Sequence, residues 1–112
     1  MKMSILILSI LLIAASISFA QDSKVINKEF KVEGNCNQCK TRIEKAVKAE
    51  GASNADWSTK TKLLTVTFDP AKTSVDSFSK KLASVGHDTE KYRADDKAYD
   101  ALDSCCKYER KK

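Results

Sequence analysis

The sequence predicts an α+β chain of the ferredoxin-like βαββαβ kind, a sandwich with two helices on one face of a four-stranded antiparallel sheet. Three observations predict it. Two segments carry apolar residues at helical spacing: Cys39, Ile43, Ala46 and Val47 in the first, Val75, Phe78, Leu82 and Val85 in the second. The segments around them alternate apolar and polar residues with a period of two. The two patterns follow one another as strand, helix, strand, strand, helix, strand.

Ahead of that unit, residues 1–20 read as a secretory signal peptide. Lys2 gives a positive start, Ile5 to Ile17 is an apolar run broken only by Ser9 and Ser16, and Ser18-Phe19-Ala20 offers a small-residue cleavage site. The run is short for a membrane span of ~20 residues. The exported chain, in the periplasm or outside the cell, is then Gln21 to Lys112 and large enough for one domain. Its expected organisation is a domain over 21–93 and a charged tail over 94–112.

Within the domain, Lys24 to Val32 places Ile26, Phe30 and Val32 on one strand face, and Gly34-Asn35 breaks it. The first helix runs from Asn37 toward Gly51, a left-handed cap. Ala52 to Ser58 is a weaker strand with Ala55 and Trp57 on its buried face. Thr59 to Lys62 is a polar turn, and Leu63 to Phe68 is the clearest strand, ended by Asp69-Pro70. Ser74 caps the second helix, with Asp76 in its first turn and Gly86 at its end. His87 to Arg93 is a short, weakly apolar final strand. In the tail, Ala94, Ala98, Ala101 and Leu102 suggest a short helix lying on the domain, and Lys107 to Arg110 a solvated end.

The charge balance narrows the function. Twenty basic and 15 acidic residues leave a formal net charge of +5, one unit of which departs with the leader. The signs are interspersed and aromatics are only 7% of residues, so neither a dense basic patch nor a stacking platform for nucleic acid is present. Lys40, Arg42, Lys45 and Lys48 line one side of the first helix, either as a solvated face or as a docking patch for an acidic partner.

The chemistry lies in the cysteines. They form two tight pairs, Cys36 with Cys39 and Cys105 with Cys106. Disulfide frameworks usually close long loops, so clustering favours metal binding or thiol exchange. Cys36 just before a helix and Cys39 in its first turn put two sulfurs beside unpaired amide hydrogens and the positive end of the helix dipole. That setting stabilises thiolate, the form that binds metal. Two thiolates suit a soft ion of low coordination, Cu(I) first, with Hg(II), Ag(I) and Zn(II) behind it. Zinc usually takes four ligands, and one such pair supplies two.

Gly34-Asn35-Cys36-Asn37-Gln38-Cys39 sits between a first strand and a first helix. It is followed by Arg42-Ile43-Glu44-Lys45-Ala46-Val47, Gly51, Leu64-Thr65-Val66 and Val85-Gly86. Over about Val25 to Arg93 the chain resembles the heavy-metal-associated domain family of copper chaperones, copper-transporting ATPase domains and the periplasmic mercury-scavenging protein. The resemblance implies that Cys36 and Cys39 are the metal ligands, that binding rather than catalysis is the function, and that the cargo serves metal transport, homeostasis or detoxification. The implied partner is a metal-transporting membrane protein or another thiol metal-binding domain. The chain is then a monomer, with a metal-bridged dimer as the alternative. Two positions depart from the family. Gly34 stands where a core methionine is common, which predicts a looser loop. His87 stands where the family has Tyr or Lys near the metal, which makes it a candidate third ligand or a counter-charge. Cys105 and Cys106 lie beyond the usual domain and are candidate additional ligands.

The competing reading from the residues is an exported thiol–disulfide oxidoreductase using the same Cys36–Cys39 pair. The compartment suits it. The element order does not, and Pro70, the one proline, offers no candidate for the proline loop such enzymes use. A domain stapled by a structural disulfide is the third reading.

Overall fold

The computed structural model describes residues 24–111; the expected leader over 1–20 lies outside them. The elements are β1 (Ile26–Lys31), α1 (Asn37–Ala49), β2 (Asn54–Trp57), β3 (Leu63–Phe68), α2 (Val75–Ser84) and α3 (Asp96–Asp100), with one 3₁₀ turn at Ser104–Cys106. The three strands form an antiparallel sheet in the order β1-β3-β2. Phe30 lies opposite Leu64 and Ile26 opposite Phe68 on one edge of β3, with Trp57 opposite Leu64 and Ala55 opposite Val66 on the other.

The alternation of β3 sets the layers. Leu64, Val66 and Phe68 are buried, whereas Thr65 faces out. Ile43, Ala46 and Val47 of α1 and Phe78 and Leu82 of α2 close on that inner face as one contiguous core. Phe78 meets Phe68 edge-on, with centroids 5.1 Å apart. Trp57 is fully buried at the end of β2, and its Nε1–H donates to the Val32 carbonyl at 3.0 Å. Burying a side chain of this size contributes about 1.5–3 kcal/mol, so the packing of the two helices rests on few residues.

The caps match the sequence. The Ser74 hydroxyl accepts from the Ser77 amide at 3.1 Å, and Gly51 has φ +109°, the left-handed region that glycine enters most readily.

The expected fourth strand is not formed. Among the described residues, 87–93 contribute a single antiparallel bridge, Val32 to Thr89, beside β1. The reason is local. The Asp88 carboxylate accepts from the Ala94 amide at 2.7 Å, and Thr89 N–H donates to the Tyr92 carbonyl at 2.9 Å. These bonds fold the segment into a turn in place of an extended ladder.

The tail departs further from expectation. Its short helix is present and lies on the domain, but its end is only partly solvated: Lys107 and Glu109 are exposed, whereas Tyr108 is not. Leu102, Cys106 and Tyr108 are buried. Gly86, with φ +102°, gives α3 its seat: a Cβ there would stand 2.9 Å from the Ala98 carbonyl oxygen and from Leu102 Cδ2. The Tyr108 hydroxyl donates to the Gly86 carbonyl at 2.8 Å and accepts from the Asp88 amide at 2.9 Å. Both backbone groups of the exit turn are thereby satisfied from the tail.

Candidate metal centre

The site begins at the N-terminus of α1. Cys36 is its N-cap, in extended backbone, with no side-chain cap bond to the helix. Cys39 falls in the first turn, fully buried against the core, and its Sγ accepts from the Asn35 amide at 3.4 Å. The two sulfurs are 3.6 Å apart.

Gly34 is what lets the loop pass so close. A Cβ at that position would stand 3.0 Å from Trp57 Cη2 and 3.2 Å from Cys39 Cβ. The indole therefore occupies the space that a residue with a side chain would need. The expected loosening does not occur; the loop is clamped between Trp57 and Cys39.

The tail brings the second pair to the first. Cys36 Sγ lies 2.9 Å from Cys105 Sγ and 3.5 Å from Cys106 Sγ, and the two tail sulfurs are 3.9 Å apart. All four cysteines are free of disulfides. Cys36, Cys39 and Cys106 form one group in which every sulfur is within 4.8 Å of the others. Cys105 falls outside that group and is exposed, with its thiol donating to Gln38 Oε1 at 2.9 Å.

The thiols differ sharply. Burial opposes ionisation of Cys36. Hydrogen bonds from Cys105, the Cys39 backbone, Cys106 and the Cys39 thiol outweigh it and bring the group down to about 6. Burial dominates at Cys39 and pushes it up to about 11, against the Asn35 amide. Burial also raises Cys106, against hydrogen bonds that include one from Arg42. The surroundings, the Cys105 hydrogen bond foremost, thus favour thiolate at Cys36, and burial favours thiol at Cys39, where the sequence suggested thiolate at both.

Arg42 donates from Nη1 to Cys106 Sγ at 3.3 Å, so it faces the sulfurs rather than a docking partner. Lys40 is likewise engaged, with Glu44 and Asp56 each at 2.7 Å. Of the four basic residues on α1, Lys45 and Lys48 are the two exposed to solvent.

His87 is fully buried but is not in the sulfur group. Its Nδ1 lies 2.8 Å from the Glu33 carbonyl oxygen. A carbonyl only accepts, so Nδ1 carries the hydrogen and Nε2 is a bare acceptor without a hydrogen-bond partner among the described residues. Burial lowers its pKa, against the bond to Glu33, and keeps the ring neutral. The ring stacks on Tyr108 with centroids 6.0 Å apart. The ring is thus held between the loop before α1 and the tail.

Sequence reasoning missed Arg42 as a sulfur contact and the Tyr108–Arg110 segment as the device that docks the tail. The signal for the first was its position three residues after Cys39, one helical turn on. For the second it was an aromatic and a cation directly after a cysteine pair.

Known proteins resemble the chain over the segment that carries Cys36 and Cys39. The heavy-metal-associated domain family matches residues 29–88. The mercuric transport protein periplasmic component of Pseudomonas aeruginosa is 40% identical over 53 residues, spanning 46% of this chain and 58% of that protein. The solved CopZ metallochaperone is 26% identical with a TM-score of 0.55, covering 57% of this chain and 98% of its own. The N-terminal domain of a potential copper-translocating P-type ATPase from Bacillus subtilis, in its Cu(I)-loaded state, is 31% identical with a TM-score of 0.54, covering 59% of this chain and 85% of its own.

Proposed function

Because the chain belongs to the heavy-metal-associated domain family, we propose that it binds a soft metal ion through Cys36 and Cys39 and passes it to a partner by ligand exchange. The observation that carries this reading is the pair itself. Two free sulfurs stand 3.6 Å apart, one at the helix N-cap and one in its first turn. Cys36 is partly exposed and its thiol is easily ionised, so it meets an incoming ion first. Cys39 is buried and gives up its proton only as metal displaces it.

Release begins at the same exposed sulfur. A thiolate from the partner adds to the bound ion at the exposed side, Cys36 departs, and Cys39 follows. No bond in a substrate is made or broken. The partner is a metal-transporting membrane protein or a second thiol metal-binding domain. The likeness to a periplasmic mercuric transport component supports an exported location and a role in metal traffic. The copper-protein likenesses support Cu(I) as a cargo as much as Hg(II). No described helix is long and apolar enough to cross a membrane.

The test is anaerobic titration of the reduced protein with Cu(I) and with Hg(II), beside the Cys36→Ser/Cys39→Ser double variant. Tight one-to-one uptake by the parent, abolished in the variant, is expected. Uptake in the variant as tight as in the parent excludes this pair.

A further inference from the structure

The tail cysteines change what the site is built to hold. A metal bonded to sulfur at ~2.3 Å needs its two sulfurs ~4.6 Å apart if linear, and neighbouring sulfurs ~4.0 Å apart if three surround it in a plane. Cys36 stands 3.6 Å from Cys39 and 3.5 Å from Cys106. Both spacings lie nearer the trigonal value than the linear one. A tetrahedral site would need a fourth sulfur near all three, and Cys105 lies outside the group.

Charge makes a second selection. Metal uptake leaves all the ligating sulfurs as thiolates, so three of them carry three negative charges. Arg42, donating to Cys106 Sγ at 3.3 Å, returns one positive charge. A divalent ion then leaves the assembly neutral, whereas a monovalent ion leaves one negative charge unbalanced. Cys39 and Cys106 are fully buried, and an uncompensated charge there is costly. With Cys106 removed, the same count favours the monovalent ion.

We infer that Cys106 completes a three-sulfur site with Cys36 and Cys39, whose cargo is a soft divalent ion of the Hg(II) class rather than Cu(I), with Arg42 as its counter-charge. This rests on the metal-binding reading above and narrows it. Zinc is disfavoured because it seeks a fourth ligand, and softness selects among the remaining divalent ions. Cys105 stays outside the coordination sphere.

X-ray absorption on the reduced protein with one equivalent of Hg(II) counts the sulfurs directly. Three are expected in the parent and in Cys105→Ser, and two in Cys106→Ser. Hg(II) affinity in Cys106→Ser should fall about a hundredfold, with Cu(I) affinity unchanged within about threefold. Two sulfurs in the parent overturn the inference without any appeal to a variant's folding. Equal losses for the two ions overturn the charge selection, and loss of the third sulfur in Cys105→Ser overturns the ligand assignment. Failure of the parent to bind either ion tightly instead overturns the metal-binding reading itself.

Discussion

Arg110 grips Asp88 with both arms of its guanidinium, Nη2 to Oδ1 at 2.7 Å and Nε to Oδ2 at 2.9 Å. Both side chains are nearly buried, at 11% and 12% exposure. The same guanidinium donates to the Ala94 carbonyl and lies 4.6 Å from the Tyr99 ring centroid. This pair ties the end of the tail to the turn after α2. Four residues upstream of Arg110, Cys106 sits among the sulfurs.

Breaking the pair from one side leaves a buried charge unmatched. Arg110→Ala is expected to destabilise the fold by about 3 kcal/mol. It should also expose Cys106, so that alkylation of this thiol in the metal-free protein speeds up beside that of Cys39. A variant with unchanged denaturant midpoint and Cys106 still protected would show that the tail is held by something else.

The same pair sets an acid limit. Burial alone would raise the Asp88 carboxyl, but Arg110, the Ala94 amide and Arg93 hold it below its ordinary value. A carboxylate lowered in the folded state contributes stability that is fully present above its unfolded pKa of ~3.9 and is lost as pH falls through the folded value. Urea midpoints of the parent should therefore decline below about pH 4. Asp88→Asn should start lower and decline less over that range; parallel curves would remove Asp88 as the cause.

At Gly34 the indole of Trp57 leaves no room. Gly34→Ala is expected to cost about 1–3 kcal/mol through overpacking against two buried neighbours. Gly34→Met, which restores the residue common in the family, should cost more, because Trp57 already fills the space. A thermal melt at or above the parent's for Gly34→Met would refute this account of the loop.

Tyr108→Phe keeps the ring and removes one oxygen. The Gly86 carbonyl loses a donor and the Asp88 amide an acceptor, both beneath the tail. A loss of about 2 kcal/mol is expected, read by chemical denaturation, together with faster proteolysis of residues 94–111. Unchanged proteolysis would place the hold on the tail elsewhere.

Arg42→Gln tests the counter-charge separately. Loss of a charge-assisted bond to sulfur should weaken Hg(II) binding about tenfold, with the fold unaffected by circular dichroism. Equal affinity in the two proteins would assign Arg42 to the surface.

The domain was legible because its signals are local. The stripe Cys39, Ile43, Ala46, Val47 and the alternation Leu64, Val66, Phe68 each specify an element from neighbours in sequence, and the position of Cys36 and Cys39 follows from where α1 starts. The tail was not legible because its hold is non-local. Asp88 meets Arg110 22 residues away, and Gly86 receives Tyr108 at the same separation. Neither contact leaves a periodic trace in a segment rich in charge. The same docking accounts for the missing strand, since Asp88 spends its carboxylate on Ala94 and Arg110 and the chain turns after the single bridge at Thr89. His87 read as a candidate ligand beside the metal; it is fully buried, with Nδ1 on the Glu33 carbonyl and its ring stacked on Tyr108.

Cys36 touches every other thiol, at 3.6 Å, 2.9 Å and 3.5 Å for Cys39, Cys105 and Cys106. In an oxidising space such a hub is a single point of failure. Whichever neighbour captures Cys36 in a disulfide, the gateway sulfur is gone, and of the other three thiols only Cys105 is exposed. Storage in air should therefore silence the protein well before all its thiols are consumed, and a single two-electron reduction of the disulfide at this position should rearm it.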